Sequence, residues 1–158
     1  MTSDHDALLD ALDDALVSVR RVPRRPVYRR RFLGEIEPAG AQGTVRVLRV
    51  VERNPDRPPS IAAVAEALVV DPSTASRMVD RCVSNGFLER VPGAEDRRQV
   101  QLRLTPAGWE LLHRANANRR ALLAEVTDGW PAEDLHHLVS RLQALLDGFD
   151  RIEAEGQS

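Results

Sequence analysis

Ser73, Thr74, Ser76, Arg77 and Arg81 fall on one side of a stretch that can fold as a single helix, and their chemistry suits a polyanion. Short hydroxyl side chains near the positive end of a helix meet phosphate together with the backbone N–H groups. An arginine fork matches the acceptor pair of guanine in a major groove. The opposite side carries Ala75, Met78, Val79 and Cys82 at spacings of three and four, an inward apolar stripe. Asp71 is an N-cap residue and Pro72 suits the first helical position, where a missing N–H is no loss, while Gly86 suits the left-handed position that closes a helix. A charged outer face alone describes any surface helix, so the neighbouring elements decide its meaning.

Upstream, Ser60 to Leu68 reads as a short helix with Ile61, Val64, Ala65 and Leu68 at i, i+3, i+4 and i+7. Only Val69, Val70 and the cap separate it from the next helix, which is a helix-turn-helix spacing. Downstream, Phe87 to Val91 and Gln99 to Leu104 alternate with period two and flank the charged run 92–98, predicting a hairpin with a charged tip. A helix-turn-helix followed by a two-stranded wing predicts a winged helix.

The run Asp96-Arg97-Arg98 followed by Leu104-Thr105-Pro106-Ala107-Gly108 resembles the wing signature of the MarR (multiple antibiotic resistance regulator) family. So does Val64-Ala65-Glu66-Ala67-Leu68 leading into Asp71 to Arg77, and the resemblance extends over about residues 36 to 112. It implies a homodimeric, sequence-specific DNA-binding transcriptional regulator, a repressor, with Ser73, Thr74, Ser76 and Arg77 facing the major groove. Arg98 would enter the minor groove, Asp96 would hold the wing by pairing with an arginine, and Ser60, Arg81 and Arg97 stand among the expected DNA contacts. The resemblance also implies an effector cavity between the dimerisation helices and the winged helix. There a small aromatic or anionic molecule would change the separation of the two recognition helices. Tyr28, Arg46, Arg49, Trp109 and His113 are its expected lining. One residue departs from the pattern: Val69 stands where the family often has glycine, so the turn either avoids left-handed backbone or is strained.

The flanking elements are predicted from periodicity. Leu8, Leu9, Leu12, Ala15, Leu16, Val19 and Val22 form an apolar stripe that Pro23 and Pro26 should end or kink. Seven arginines between residues 20 and 31, with Tyr28 and Phe32 interleaved, make a basic segment: a phosphate-contacting or effector-binding run, or a solvated face beside acidic helices. Ala41 to Asn54 is a helix with Val45, Leu48 and Val51 or Val50 inward. Thr105 and Pro106 start a long helix to about Val126, and Asp128 to Pro131 breaks it. The last helix, about Ala132 to Ile152, has an apolar stripe from Leu135 to Ile152 too extensive for a lone terminal helix to leave in water.

The fold class expected is therefore mainly α with a small β wing. Residues 1–35 form an N-terminal dimerisation helix and basic segment, 36–106 the winged helix-turn-helix, and 107–158 the C-terminal dimerisation helices of one compact protomer. Two-fold symmetry then predicts a pseudo-palindromic double-stranded operator with half-sites about 10 base pairs apart. A winged-helix module that binds protein rather than specific DNA is the alternative.

Composition narrows the partners. The net charge of −2 argues against coating nucleic acid through bulk charge, yet every one of the 22 basic residues is arginine, which favours fork-shaped contacts. No run approaches the roughly 20 apolar residues of a membrane span, and the acidic start opposes a secretory leader, so a cytoplasmic protein is expected. A single cysteine, Cys82, excludes an intrachain disulfide and reads as a small buried hydrophobe. His113, His136 and His137 with Glu133 lack metal-site spacing, and there is no phosphate loop or nucleophile elbow, so neither cofactor nor enzymatic activity is expected.

Overall fold

The computed structural model describes residues 2–33, 41–55, 57–93 and 100–156. In chain order these hold α1 (Thr2–Arg21), a 3₁₀ turn (Val22–Arg24), α2 (Pro26–Leu33), α3 (Ala41–Glu52), α4 (Ile61–Leu68), α5 (Pro72–Ser84), β1 (Leu88–Pro92), β2 (Val100–Leu104), α6 (Pro106–Val126) and α7 (Ala132–Gly156). The chain divides into two compact units after Arg120.

Within the first unit α3, α4 and α5 pack on one another and on the hairpin. Their shared core is the set of stripes read from the sequence: Val45, Leu48 and Val51 of α3, Val64 and Leu68 of α4, and Ala75, Val79 and Cys82 of α5 are buried, with Met78 half-buried. Val51 takes the inward position, and Val50 is only half-buried. Leu88, Leu102 and Leu104 close the core from the hairpin, and Leu111, Leu112 and Ala115 close it from α6. β1 and β2 pair antiparallel from Leu88↔Leu104 to Pro92↔Val100. The Leu102 N–H donates to the Pro59 carbonyl at 3.0 Å, so the segment before α4 covers the outer edge of β2.

α1 ends ahead of Pro23 and Pro26 as the sequence suggests, but Pro26 also opens a helix, α2, that the periodicity did not show. Pro26 is its first residue, where proline's fixed φ favours a helix and its missing N–H removes no bond. The new helix buries Phe32 and Leu33, so five of the seven arginines lie on α1 and α2 and only Arg24 and Arg25 in the turn between them.

α1 leaves Leu8, Leu9, Leu12 and Val19 exposed. In the second unit Gly129 takes φ +78° in the break between α6 and α7, and Thr127 caps backward onto the Leu123 carbonyl. α7 has no buried residue: Leu138, Leu142, Leu146, Phe149 and Ile152 are all exposed along one stripe. No helix among the described residues is long and apolar enough to cross a membrane.

Candidate nucleic-acid interface and adjoining cavity

The geometry of α5 begins at its cap. Asp71 is extended (φ −65°, ψ 152°), and its carboxylate accepts from the Thr74 N–H at 2.8 Å and from the Ser73 hydroxyl at 2.5 Å. These bonds, the Ser73 hydroxyl first, hold the Asp71 carboxyl well below its usual range. Ser73 and Arg77 are exposed and Thr74 and Ser76 half-buried along one face, with Arg77 Nη2 donating to Thr74 Oγ1 at 3.4 Å. Arg81 is exposed one turn further on. The face read from the sequence is thus assembled on one rigid helix.

Arg90 of β1 reaches across to Asp80 of α5 at 2.5 Å, joining the hairpin to the outward side of that helix. Ser60 is half-buried and its hydroxyl accepts from the Ala63 N–H at 3.2 Å, so it caps α4. Asp96, Arg97 and Arg98, the expected wing residues, lie outside the described residues.

The two helix ends that frame α5 share one closure. After α4, Val69 is left-handed (φ 52°, ψ 55°), with Val69 N–H to Glu66 carbonyl and Val70 N–H to Ala65 carbonyl, each 3.0 Å. Of the two turn geometries open to Val69, the structure has the strained one. After α5, Gly86 is left-handed (φ 72°), with Gly86 N–H to Val83 carbonyl and Phe87 N–H to Cys82 carbonyl, each 2.9 Å. Thr105 then holds this end to α6: its N–H donates to the Phe87 carbonyl, its hydroxyl donates to the Gly86 carbonyl at 2.6 Å, and the same hydroxyl accepts from the Gly108 N–H. Cys82 is buried beneath, and desolvation pushes its thiol up to about 11, which fits a packing role.

Beside the winged helix the first unit holds a cavity of about 420 Å³. Tyr28, Arg46 and Arg49 meet there as the sequence suggested. Trp109 and His113 do not line it: they stack on each other with ring centroids 5.9 Å apart, and Trp109 borders a separate hollow with Pro55, Pro58 and Arg103. They point away because the inward face of α6 is Leu111, Leu112 and Ala115.

The sequence reading missed Arg119 as a lining residue, and left Arg20 and Arg24 in the undecided basic run. The signal for Arg119 was its phase: it follows Leu112 and Ala115 by seven and four residues, which puts a charge on a buried stripe. Its guanidinium carbon lies 5.1 Å from the centre of the Phe32 ring, and its Nε is buried with no hydrogen-bond partner among the described residues. Arg49 donates to Asn116 Oδ1 at 2.6 Å; burial first, then Arg119 and Arg53, lower its pKa. Arg46 Nη2 donates to the Leu68 carbonyl at 3.0 Å, the last residue of α4. Among the described residues no group of His, Cys, Asp and Glu could hold a metal ion.

Helix, tight turn, second helix and a two-stranded hairpin in this order define a winged helix-turn-helix. The family model that matches is that of the MarR family, over residues 41–99, the winged helix itself. The multiple antibiotic resistance protein MarR of Salmonella typhimurium is 32% identical over 76 residues, 48% of this chain; the match spans 44% of that relative's length, less than half. A crystal structure of a MarR family transcription regulator shares the fold with TM-score 0.77 over 98% of both chains at 22% identity. The heme sensor protein PefR from Streptococcus agalactiae, in complex with heme, aligns with TM-score 0.54 at 26% identity, over 87% of this chain and 92% of its own.

Proposed function

We propose that the chain is a homodimeric, sequence-specific DNA-binding transcriptional regulator, a repressor whose DNA affinity is modulated by a small-molecule effector. The observation that carries this reading is the outer face of α5, where exposed Ser73 and Arg77 with half-buried Thr74 and Ser76 follow a capped helix N-terminus beside the wing strands. Short hydroxyls and N–H groups there suit phosphate, and Arg77 and Arg81 suit base edges and phosphate further along the groove. Ser60, Arg97 and Arg98 complete the contacts, with Arg98 in the minor groove and Asp96 supporting the wing.

The uncovered apolar stripes of α1 and α7 support dimerisation, since surfaces of that extent are rarely left to water. In this assignment 1–35 and 107–158 supply the dimer contacts and 36–106 the DNA-binding region. The operator is then a pseudo-palindrome, and the protein works in the cytoplasm. Effector modulation draws on the arginine-lined cavity and on the neighbour PefR, a heme sensor; the effector of this chain would act by differential affinity for two dimer states.

Fluorescence anisotropy against DNA from upstream of the gene, beside a scrambled duplex and an Arg77→Ala variant, tests the reading. Specific binding with a steep salt slope, about −0.9 per phosphate contact, is expected, weakened in the variant. Equal, weak binding to both duplexes, repeated in a genome-wide selection, would favour the protein-interaction module.

A further inference from the structure

Charge is segregated along α1 and the turn that follows it. Residues 1–19 hold five aspartates and no arginine, whereas residues 20–25 hold four arginines and no acid. Arg20 comes six residues after Asp14, beyond the three or four over which side chains on one helix meet, so α1 cannot pair its own charges. Among the described residues no ion pair joins these aspartates to these arginines. Asp10 and Asp14 are instead like charges four apart, which weaken an isolated helix.

The apolar stripe of the same helix is uncovered as well. Leu9 is 51% and Val19 64% exposed, Leu12 is exposed and Leu16 half-buried. These four follow one another at spacings of three, four and three, the alternation of a coiled-coil seam. Asp6, Asp13 and Arg20 recur every seven residues beside it, so this flank is acidic through its middle and basic at its C-terminal end.

A parallel copy would set acid against acid and arginine against arginine. An antiparallel copy does the reverse, and it also opposes the two helix dipoles favourably. In that arrangement Leu9 lies level with Val19 of the partner subunit and Leu12 with Leu16 of the partner subunit, and the two-fold axis repeats both layers. Residues 4–10 of one chain then face residues 18–24 of the other, which brings Asp4, Asp6 and Asp10 to the level of Arg20, Arg21 and Arg24 of the partner subunit.

We propose that α1 docks antiparallel on α1 of a second copy of this chain, and that Arg20, Arg21 and Arg24 serve to receive the acidic end of that copy. The pairing rests on the homodimer of the regulator reading above and gives it a direction. Its ionic contacts are exposed, so the dimer should weaken as salt rises.

The test uses full chains followed by sedimentation equilibrium. D4R/D6R/D10R, and separately R20E/R21E/R24E, should each weaken the dimer about tenfold or more, because like charges then face one another at both ends. The chain with all six changes restores opposite charges in an antiparallel pair and should dimerise about as tightly as wild type. Mixed with wild type, it should sort into its own dimers, since acid meets acid and arginine meets arginine in an antiparallel mixed pair, whereas parallel pairing would favour the mixture. Under oxidation a Leu9→Cys chain should cross-link to a Val19→Cys chain and neither to itself, the native Cys82 being buried. Free mixing, a six-change chain no tighter than the three-change chains, three-change chains as tight as wild type, or Leu9→Cys joined to itself and not to Val19→Cys would each overturn the alignment and leave the homodimer standing. A wild-type chain that is monomeric at every concentration would overturn the homodimer reading as well.

Discussion

The helix before the turn and the recognition-type helix after it end with the same pair of backbone hydrogen bonds, one built on Val69 and the other on Gly86. Glycine adopts that backbone without penalty. An L-residue in it carries about 1–2 kcal/mol of strain, and a β-branched one is a true outlier. Val69 is also 91% exposed, so packing does not repay the strain locally. The exit from α5 is relaxed and held to α6 by Thr105, while the approach to α5 is strained and held from outside by Arg46. The difference teaches that the backbone strain around α5 is concentrated at its approach, next to the end that bears Ser73 and Thr74, and not at its exit.

The contrast can be broken most severely at the exit. A β-carbon on Gly108 would lie 2.1 Å from the Phe87 carbonyl oxygen, so Gly108→Ala must displace backbone. About 3 kcal/mol of stability should be lost, read as a lower urea midpoint at unchanged slope. Gly86→Val transfers the strained arrangement to the exit; with nothing within 4 Å of the new β-carbon, the loss should be strain alone, about 1–2 kcal/mol. Val69→Gly should act in the opposite direction, with a gain of up to about 1 kcal/mol after the added chain entropy of glycine is subtracted. A destabilised Val69→Gly protein would remove the strain account.

The smallest effect concerns the cap. Asp71 is held below its usual carboxylate pKa of 3.8, first by Ser73 and then by Thr74. The folded form therefore binds its proton more weakly than the unfolded form, so the contribution is fully present above that usual value and is lost as pH falls through the lower folded value. The stability difference between wild type and Asp71→Ala, followed by urea unfolding from pH 7 downward, should be constant near neutrality and shrink in acid.

How much of this was legible follows from which physics was local. The caps Ser60, Asp71 and Thr105, the inward stripes and the Gly86 stop were readable because each depends on residues within one or two turns. Val69 was recognised as a conflict, but the contact beside it, Arg46 donating to the Leu68 carbonyl from 22 residues away along the chain, is tertiary and was not readable. α2 was not seen because proline that ends a preceding helix can also open a following one, and the burial of Phe32 and Leu33 that anchors α2 is tertiary. The cavity was half visible. Tyr28, Arg46 and Arg49, expected from the family resemblance, border the cavity; Trp109 and His113 lie on another face of α6, and Arg119 stood on the apolar stripe of α6 without being read as such.

The junction at Gly86, Phe87, Thr105 and Gly108 also sets what can be exchanged between relatives. A chimaera that transplants residues 71–84 alone would place a foreign helix on a socket shaped for another backbone, because the carbonyls of Gly86 and Phe87 are held by Thr105. The smallest portable unit around α5 is discontinuous: residues 71–87 together with 105–108, two segments separated by residues 88–104 and held together by Thr105.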